Sequence, residues 1–91
     1  MKLYLVHAGF YDDNVSSGFY ESHTNYFVVA SDVKEAKAKA KVIPEYKRKK
    51  MHIDGIKEID VVDGYKISLH EHSDSIENKD NNYSYDEVKK I

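Results

Sequence analysis

The stretch Met51-His-Ile-Asp-Gly-Ile-Lys-Glu-Ile-Asp-Val-Val-Asp-Gly-Tyr-Lys-Ile-Ser-Leu69 decides the fold, because its apolar and polar residues alternate as in two paired strands around a turn. With Val62-Asp63-Gly64 as a three-residue loop closed by a left-handed glycine, Val61 pairs with Tyr65 and Ile59 with Ile67. Met51, Ile53, Gly55, Ile59 and Val61 then share a face with Tyr65, Ile67 and Leu69, interrupted only by Lys57. A two-residue Asp-Gly turn would instead pair Val62 with Tyr65 and carry Asp54, Glu58 and Asp60 to the apolar side, where burying carboxylates is costly. The three-residue loop is the expected one. The opposite face carries His52, Asp54, Ile56, Glu58 and Asp60 beside Lys66, Ser68, His70 and His72, with Asp54 across from His72 and Asp60 across from Lys66, and it reads as wet.

Working outward, Lys2 to Phe10 is nearly continuous in apolar character, as expected of a strand covered on both faces, and Tyr20 to Ala30 is a second strand ending in Phe-Val-Val-Ala. The polar segment between them is a long hairpin connection. Asp32 caps a helix with Glu35 three residues later, the stripe Val33, Ala36, Ala40, Ile43 gives its buried face, and Pro44 ends it. Residues 73–82 form a polar linker with too little apolar surface to offset the entropy of ordering. Beyond it, Ser84 and Glu87 make a capping box, so Tyr85 to Ile91 reads as a short terminal helix that has to dock Val88 and Ile91 on its own domain or on a partner.

The expected organisation is one α+β domain over residues 1–72, the linker, and a terminal helix or tail over 83–91. Its element order, β-β-α-β-β, predicts a two-layer sandwich of one sheet and one main helix. A right-handed crossover favours the strand order 2-1-4-3, a β-grasp-like roll, with a split ferredoxin-like arrangement as the alternative.

Ninety-one residues with 41% apolar content supply a single modest core. Cysteine is absent, which removes disulfides, thiolate nucleophiles and cysteine zinc sites and is compatible with a reducing cytoplasm. The longest apolar runs are far too short for a membrane span or signal-peptide core, so the expectation is a cytoplasmic chain that begins at its true start and has no membrane partner. The net charge of −2 hides an asymmetry: Lys34, Lys37, Lys39, Lys41, Lys47, Arg48, Lys49 and Lys50 crowd into one segment.

The opening Lys-Leu-Tyr-Leu-Val, the Glu21-Ser-His23 step leading into Phe27-Val-Val, and Met51-His-Ile-Asp followed by Val-Asp-Gly-Tyr-Lys-Ile resemble the small bacterial domain of unknown function 1543. The resemblance spans residues 2 to 70. It implies no particular activity, and because some members carry the domain twice it implies that two copies can pack together. The Lys47 to Lys50 stretch and the polar tail depart from the family and inherit nothing from it.

Four surfaces could carry function. His52, Asp54, His70 and His72 share the wet face, with Asp74 across from His52 if pairing extends that far; imidazole and carboxylate at this spacing can hold a divalent ion, and cross-strand charge pairing is the ordinary alternative. If His23, paired with Glu21 on strand two, comes near this face, the set His23, His52, Glu21, Asp54 is the better candidate. No nucleophile elbow, phosphate-binding glycine loop or zinc-protease helix is present, so an enzyme is not the favoured class; His23 and His52 are the acid–base partners to suspect. A polyanion such as nucleic acid would use Lys34, Lys37 and Lys41 on one helix stripe, continued by Lys47, Arg48, Lys49 and Lys50, with Tyr46 free to stack on a base, although a pI near 6.2 speaks against it. Eight tyrosines favour the remaining class, a noncatalytic, self-associating interaction module, expected to be a homodimer and to need no cofactor.

Overall fold

A computed structural model describes residues 1–72 and 77–91. Strands β1 (Lys2–Tyr11) and β2 (Glu21–Ala30) form an antiparallel hairpin, followed by helices α1 (Val33–Lys41) and α2 (Pro44–Arg48) and strand β3 (His52–Ile59). A two-stranded ribbon, β4 (Val61–Val62) and β5 (Tyr65–Lys66), and a terminal helix α3 (Tyr85–Lys89) complete the described chain. The class is α+β, with one face of a three-stranded antiparallel sheet covered by helix.

The sheet order is β2-β1-β3, so β3, not a fourth strand, lies beside β1. This corrects the expected order 2-1-4-3. Strand β3 ends at Ile59, and the following segment turns back on itself as a separate ribbon in which Val61 pairs with Lys66 and Val62 with Tyr65. The turn is therefore the two-residue Asp63-Gly64 form, both residues with positive φ (52° and 80°), the geometry that matches strand twist in short hairpins. Burial was expected to exclude that register, but the ribbon is wet on both faces, with Val61, Val62 and Tyr65 all at least half exposed. With no buried face to select register, the preference of Asp-Gly for left-handed backbone decides it. Asp60 and Lys66 do form an ion pair, and Ile67 N–H donates to the Asp60 carbonyl at 2.8 Å.

A bulge corrects the face assignment within β3. The register against β1 runs Gly9↔His52, Ala8↔Ile53, then His7↔Gly55, so Asp54 is the extra residue. Without it Ile53 and Ile56 would point to opposite faces; with it both pack on the helix-side core, and Gly55, Lys57 and Ile59 move to the open side. That core consists of Tyr4, Val6, Val28, Ala30, Ala36 and Ala40, continued by Ala8, Phe10, Tyr46 and Met51. Strand β1 is thus covered on one face only: Leu3 and Leu5 on the other are half-buried and His7 is exposed.

Helix α1 begins where its cap predicts, the Asp32 carboxylate accepting from Glu35 N–H at 2.8 Å. Alanines at its buried positions let it sit close on the sheet. Val33, expected in the buried stripe, is 54% exposed. Pro44 ends α1 and also occupies the first turn of α2, where a missing N–H costs nothing, and α2 delivers Tyr46 to the core. Helix α3 has the expected capping box, Ser84 Oγ accepting from Glu87 N–H at 3.2 Å, but Val88 and Ile91 are exposed.

Tyr26 ties α2 to the sheet by donating its hydroxyl to Glu45. Burial, then that hydrogen bond, pushes the phenol up to about 12 from 10.0, while the same bond holds the Glu45 carboxyl below its ordinary range. A proton held more tightly in the folded state stabilises it fully below pH 10 and ceases to do so as pH rises from 10.0 through about 12. The depressed Glu45 acts in the opposite direction, its contribution fading as pH falls through the carboxylate range. Tyr26→Phe is expected to cost about 1 kcal/mol at neutral pH and to flatten the alkaline fall in stability, both read by denaturant unfolding across pH.

Candidate metal centre on the open sheet face

The face of the sheet turned away from the helices divides into two halves. Toward one end it carries Leu3, Leu5, Phe27, Val29 and Ile59; toward the other it carries His7, Gly9, Glu21, His23, Asn25, His52 and Asp54. Pairing explains the second group. Gly9 lies directly opposite His23 on β2 and opposite His52 on β3, so a residue without a side chain separates two histidines in one row across the sheet. Gly9 is nevertheless buried, because neighbouring side chains lean over it. A Cβ built there would collide with Glu21 Oε1 and would lie 2.7 Å from both Asp54 Oδ2 and His52 Nε2.

The side chains converge closely. His52 Nε2 is 2.6 Å from Glu21 Oε1 and 3.1 Å from Asp54 Oδ1. His23 Nε2 is 3.1 Å from Asp54 Oδ2 and 3.5 Å from Glu21 Oε1. The His7 ring stacks on His23 with centroids 4.8 Å apart, and His7 Nδ1 lies 2.8 Å from Asn25 Oδ1. An amide oxygen only accepts, so Nδ1 is the donor in this contact, and a second-shell partner at one ring nitrogen is what orients metal-ligating histidines. Among the described residues, two sets of three donors each lie mutually within 4.8 Å: Glu21, His52 and Asp54, and His7, His23 and Asp54. The bulge contributes here, since such irregularities beside a site re-aim side chains.

Of the residues expected from sequence, Glu21, His23, His52 and Asp54 are brought together. His70 and His72 are not: β3 pairs with β1 rather than with the segment that follows, which leaves both histidines exposed in irregular chain, outside either donor set. Asp74 lies outside the described residues. His7, Gly9 and Asn25 were missed, although each follows from carrying the β1–β2 register down from the hairpin end. Lys34, Lys37 and Lys41 lie exposed on α1, and Lys47, Arg48 and Lys50 are exposed around α2. Lys49 is committed elsewhere, its ammonium 4.6 Å from the centre of the Phe10 ring and 3.8 Å from Glu45. Tyr46, expected to be free for stacking on a base, is 8% exposed and belongs to the core.

The profile of the domain of unknown function DUF1543 matches residues 18–69, more than half of the chain. The chain belongs to the DUF1543 family. In this DUF1543 domain the matched segment includes Glu21, His23, His52 and Asp54 and starts after His7 and Gly9. No curated protein and no solved structure matches the chain significantly. No helix among the described residues is long and apolar enough to cross a membrane.

Proposed function

We propose that this DUF1543 domain binds divalent transition metal through the histidine–carboxylate cluster above Gly9. The observation that carries the reading is the convergence itself: Glu21 from β2 and His52 and Asp54 from β3 reach over Gly9, the one position in the row that has no side chain. Bonds of about 2.0–2.2 Å to a common ion place ligand atoms roughly 3 to 3.5 Å apart by simple geometry. Three of the nitrogen–oxygen separations, at 3.1, 3.1 and 3.5 Å, fall in that range, and the fourth, His52 to Glu21 at 2.6 Å, is a hydrogen bond that an ion would replace. Imidazole and carboxylate without sulfur suit zinc, nickel or manganese rather than a thiophilic ion. The acid–base alternative uses the same His23 and His52, and the metal reading is favoured because each histidine faces carboxylate oxygens at ligand spacing.

The test is thermal denaturation of protein purified without a histidine tag. A ligand present at about 100 times its Kd adds about 2.7 kcal/mol to the folded state, so saturating zinc is expected to raise Tm by roughly 10 °C or more in a domain of this size. Chelator should reverse the gain. Asp54→Ala should abolish it and His52→Ala should reduce it, each leaving the metal-free protein folded, since both side chains are exposed, whereas His72→Ala should change nothing. No shift with zinc or nickel would remove the proposal.

A second reading, self-association, is favoured by the other half of the same face. Phe27 is 68% exposed and Val29 42% exposed beside Leu3, Leu5 and Ile59, a contiguous apolar patch of the kind that marks an interaction surface. Sedimentation is expected to give twice the 10.5 kDa chain mass at high concentration, and Phe27→Glu is expected to restore the monomer without unfolding it. A monomer at every accessible concentration would contradict this.

A further inference from the structure

We propose that the cluster is a two-metal site, with the Asp54 carboxylate bridging the ions. This rests on the metal-binding reading above and adds stoichiometry and the roles of individual ligands. The two oxygens of Asp54 face different histidines: Oδ1 is 3.1 Å from His52 Nε2 and Oδ2 is 3.1 Å from His23 Nε2. Behind each histidine stands one further donor, Glu21 at 2.6 Å from His52, and His7 stacked on His23. The donors therefore fall into two half-sites that share Asp54. Glu21 Oε1 also approaches His23 Nε2, at 3.5 Å, and its shorter contact assigns it to the His52 half.

Two divalent ions are held about 3.5–4 Å apart in two-metal sites, and at that distance their repulsion has to be offset by a negative group between them. Asp54 occupies that position because the bulge inserts it into β3 beside Gly55 instead of letting it pair with β1. Each half-site supplies two ligands of its own plus one bridging oxygen, so each ion keeps coordination positions open toward the uncovered face. The chemical class of further ligand is then water or an oxyanion that spans both ions.

Native mass spectrometry of the untagged chain saturated with zinc, with calorimetric titration alongside, tests this. Two zinc ions per chain are expected. Glu21→Gln and His7→Ala each disable a different half-site and should each reduce the count to one, and combining them should reduce it to zero. Asp54→Asn leaves a single acceptor oxygen in place of the bridge and should weaken zinc binding at least tenfold. One zinc ion in the unsubstituted chain, lost on Glu21→Gln and unaffected by His7→Ala, would overturn the two-metal arrangement and leave a mononuclear site. No bound zinc at all would overturn the metal reading as well.

Discussion

Gly9→Ala is expected to weaken metal binding severely while leaving the metal-free protein as stable as before or slightly more so. The added methyl group occupies the space into which Glu21 Oε1, Asp54 Oδ2 and His52 Nε2 now reach. All three atoms are the far ends of exposed or half-exposed side chains, so they swing aside at little cost to the fold. Alanine also loses less conformational entropy than glycine in a strand, which favours the variant by roughly 0.5–1 kcal/mol. Dispersing the donors should weaken zinc binding by about two orders of magnitude or more, by analogy with the loss seen when metal ligands lose their supporting geometry. Calorimetric titration and metal-free thermal denaturation read the two effects separately. A variant that is strongly destabilised, or one that binds zinc as before, would show that Gly9 serves the backbone rather than the cluster.

Ala40→Glu is expected to eliminate the cooperative fold. Ala40 has no exposed surface and lies with Ala36 against Tyr4, Val6, Val28 and Ala30, where alanine is small enough for α1 to approach the sheet closely. A glutamate there introduces both excess volume and an unpaired charge, each worth several kcal/mol. A domain of this size has only about 5–13 kcal/mol in total. The neighbouring Lys39 is a poor control, since its ammonium donates to the Val29 carbonyl at 2.7 Å and pairs with Glu35 at 3.4 Å. Lys37→Glu, on the exposed face of the same helix, is the proper one and should leave the far-ultraviolet circular dichroism and Tm nearly unchanged. A folded Ala40→Glu variant with an unshifted melting curve would contradict the close helix–sheet packing.

What could be read from the sequence follows from the range of the forces involved. The first two strands, the capped helix and the terminal capping box depend on neighbours within a few residues, and they form where their patterns predict, although β1 is covered on one face rather than two and Val33 is exposed. The partner of β3 depends on contacts some fifty residues apart, between Leu3 and Ile59 for example, and alternation within Met51 to Leu69 contains no information about it. The bulge at Asp54 has the same origin: one inserted residue moves Ile56 into the core and Lys57 out of it, and only the competing claims of Ile53 and Ile56 for one face hint at this. Asp63-Gly64 carries a clear local turn signal, and it prevails because the wet ribbon imposes no burial constraint on register.

For the site, Glu21 and His23 were legible as alternate residues of one strand, and His52 and Asp54 as alternate residues of another. Their meeting was not. It requires β1 to lie between them and to contribute no side chain at Gly9, a condition set by two separate strand registers. His70 and His72 were grouped with His52 on the assumption of a long hairpin, and they leave the group when that hairpin is replaced by the β1–β3 pairing.

The five histidines of the chain make one measurement decisive, because they divide into three inside the cluster and two outside it. Two-dimensional NMR of the imidazole ring protons during a zinc titration reports all five at once. The expected result is that His7, His23 and His52 shift or broaden together and saturate at stoichiometric zinc, with His70 and His72 unmoved. Rings that respond uniformly and without saturation, or a response confined to His70 and His72, would contradict a metal centre above Gly9.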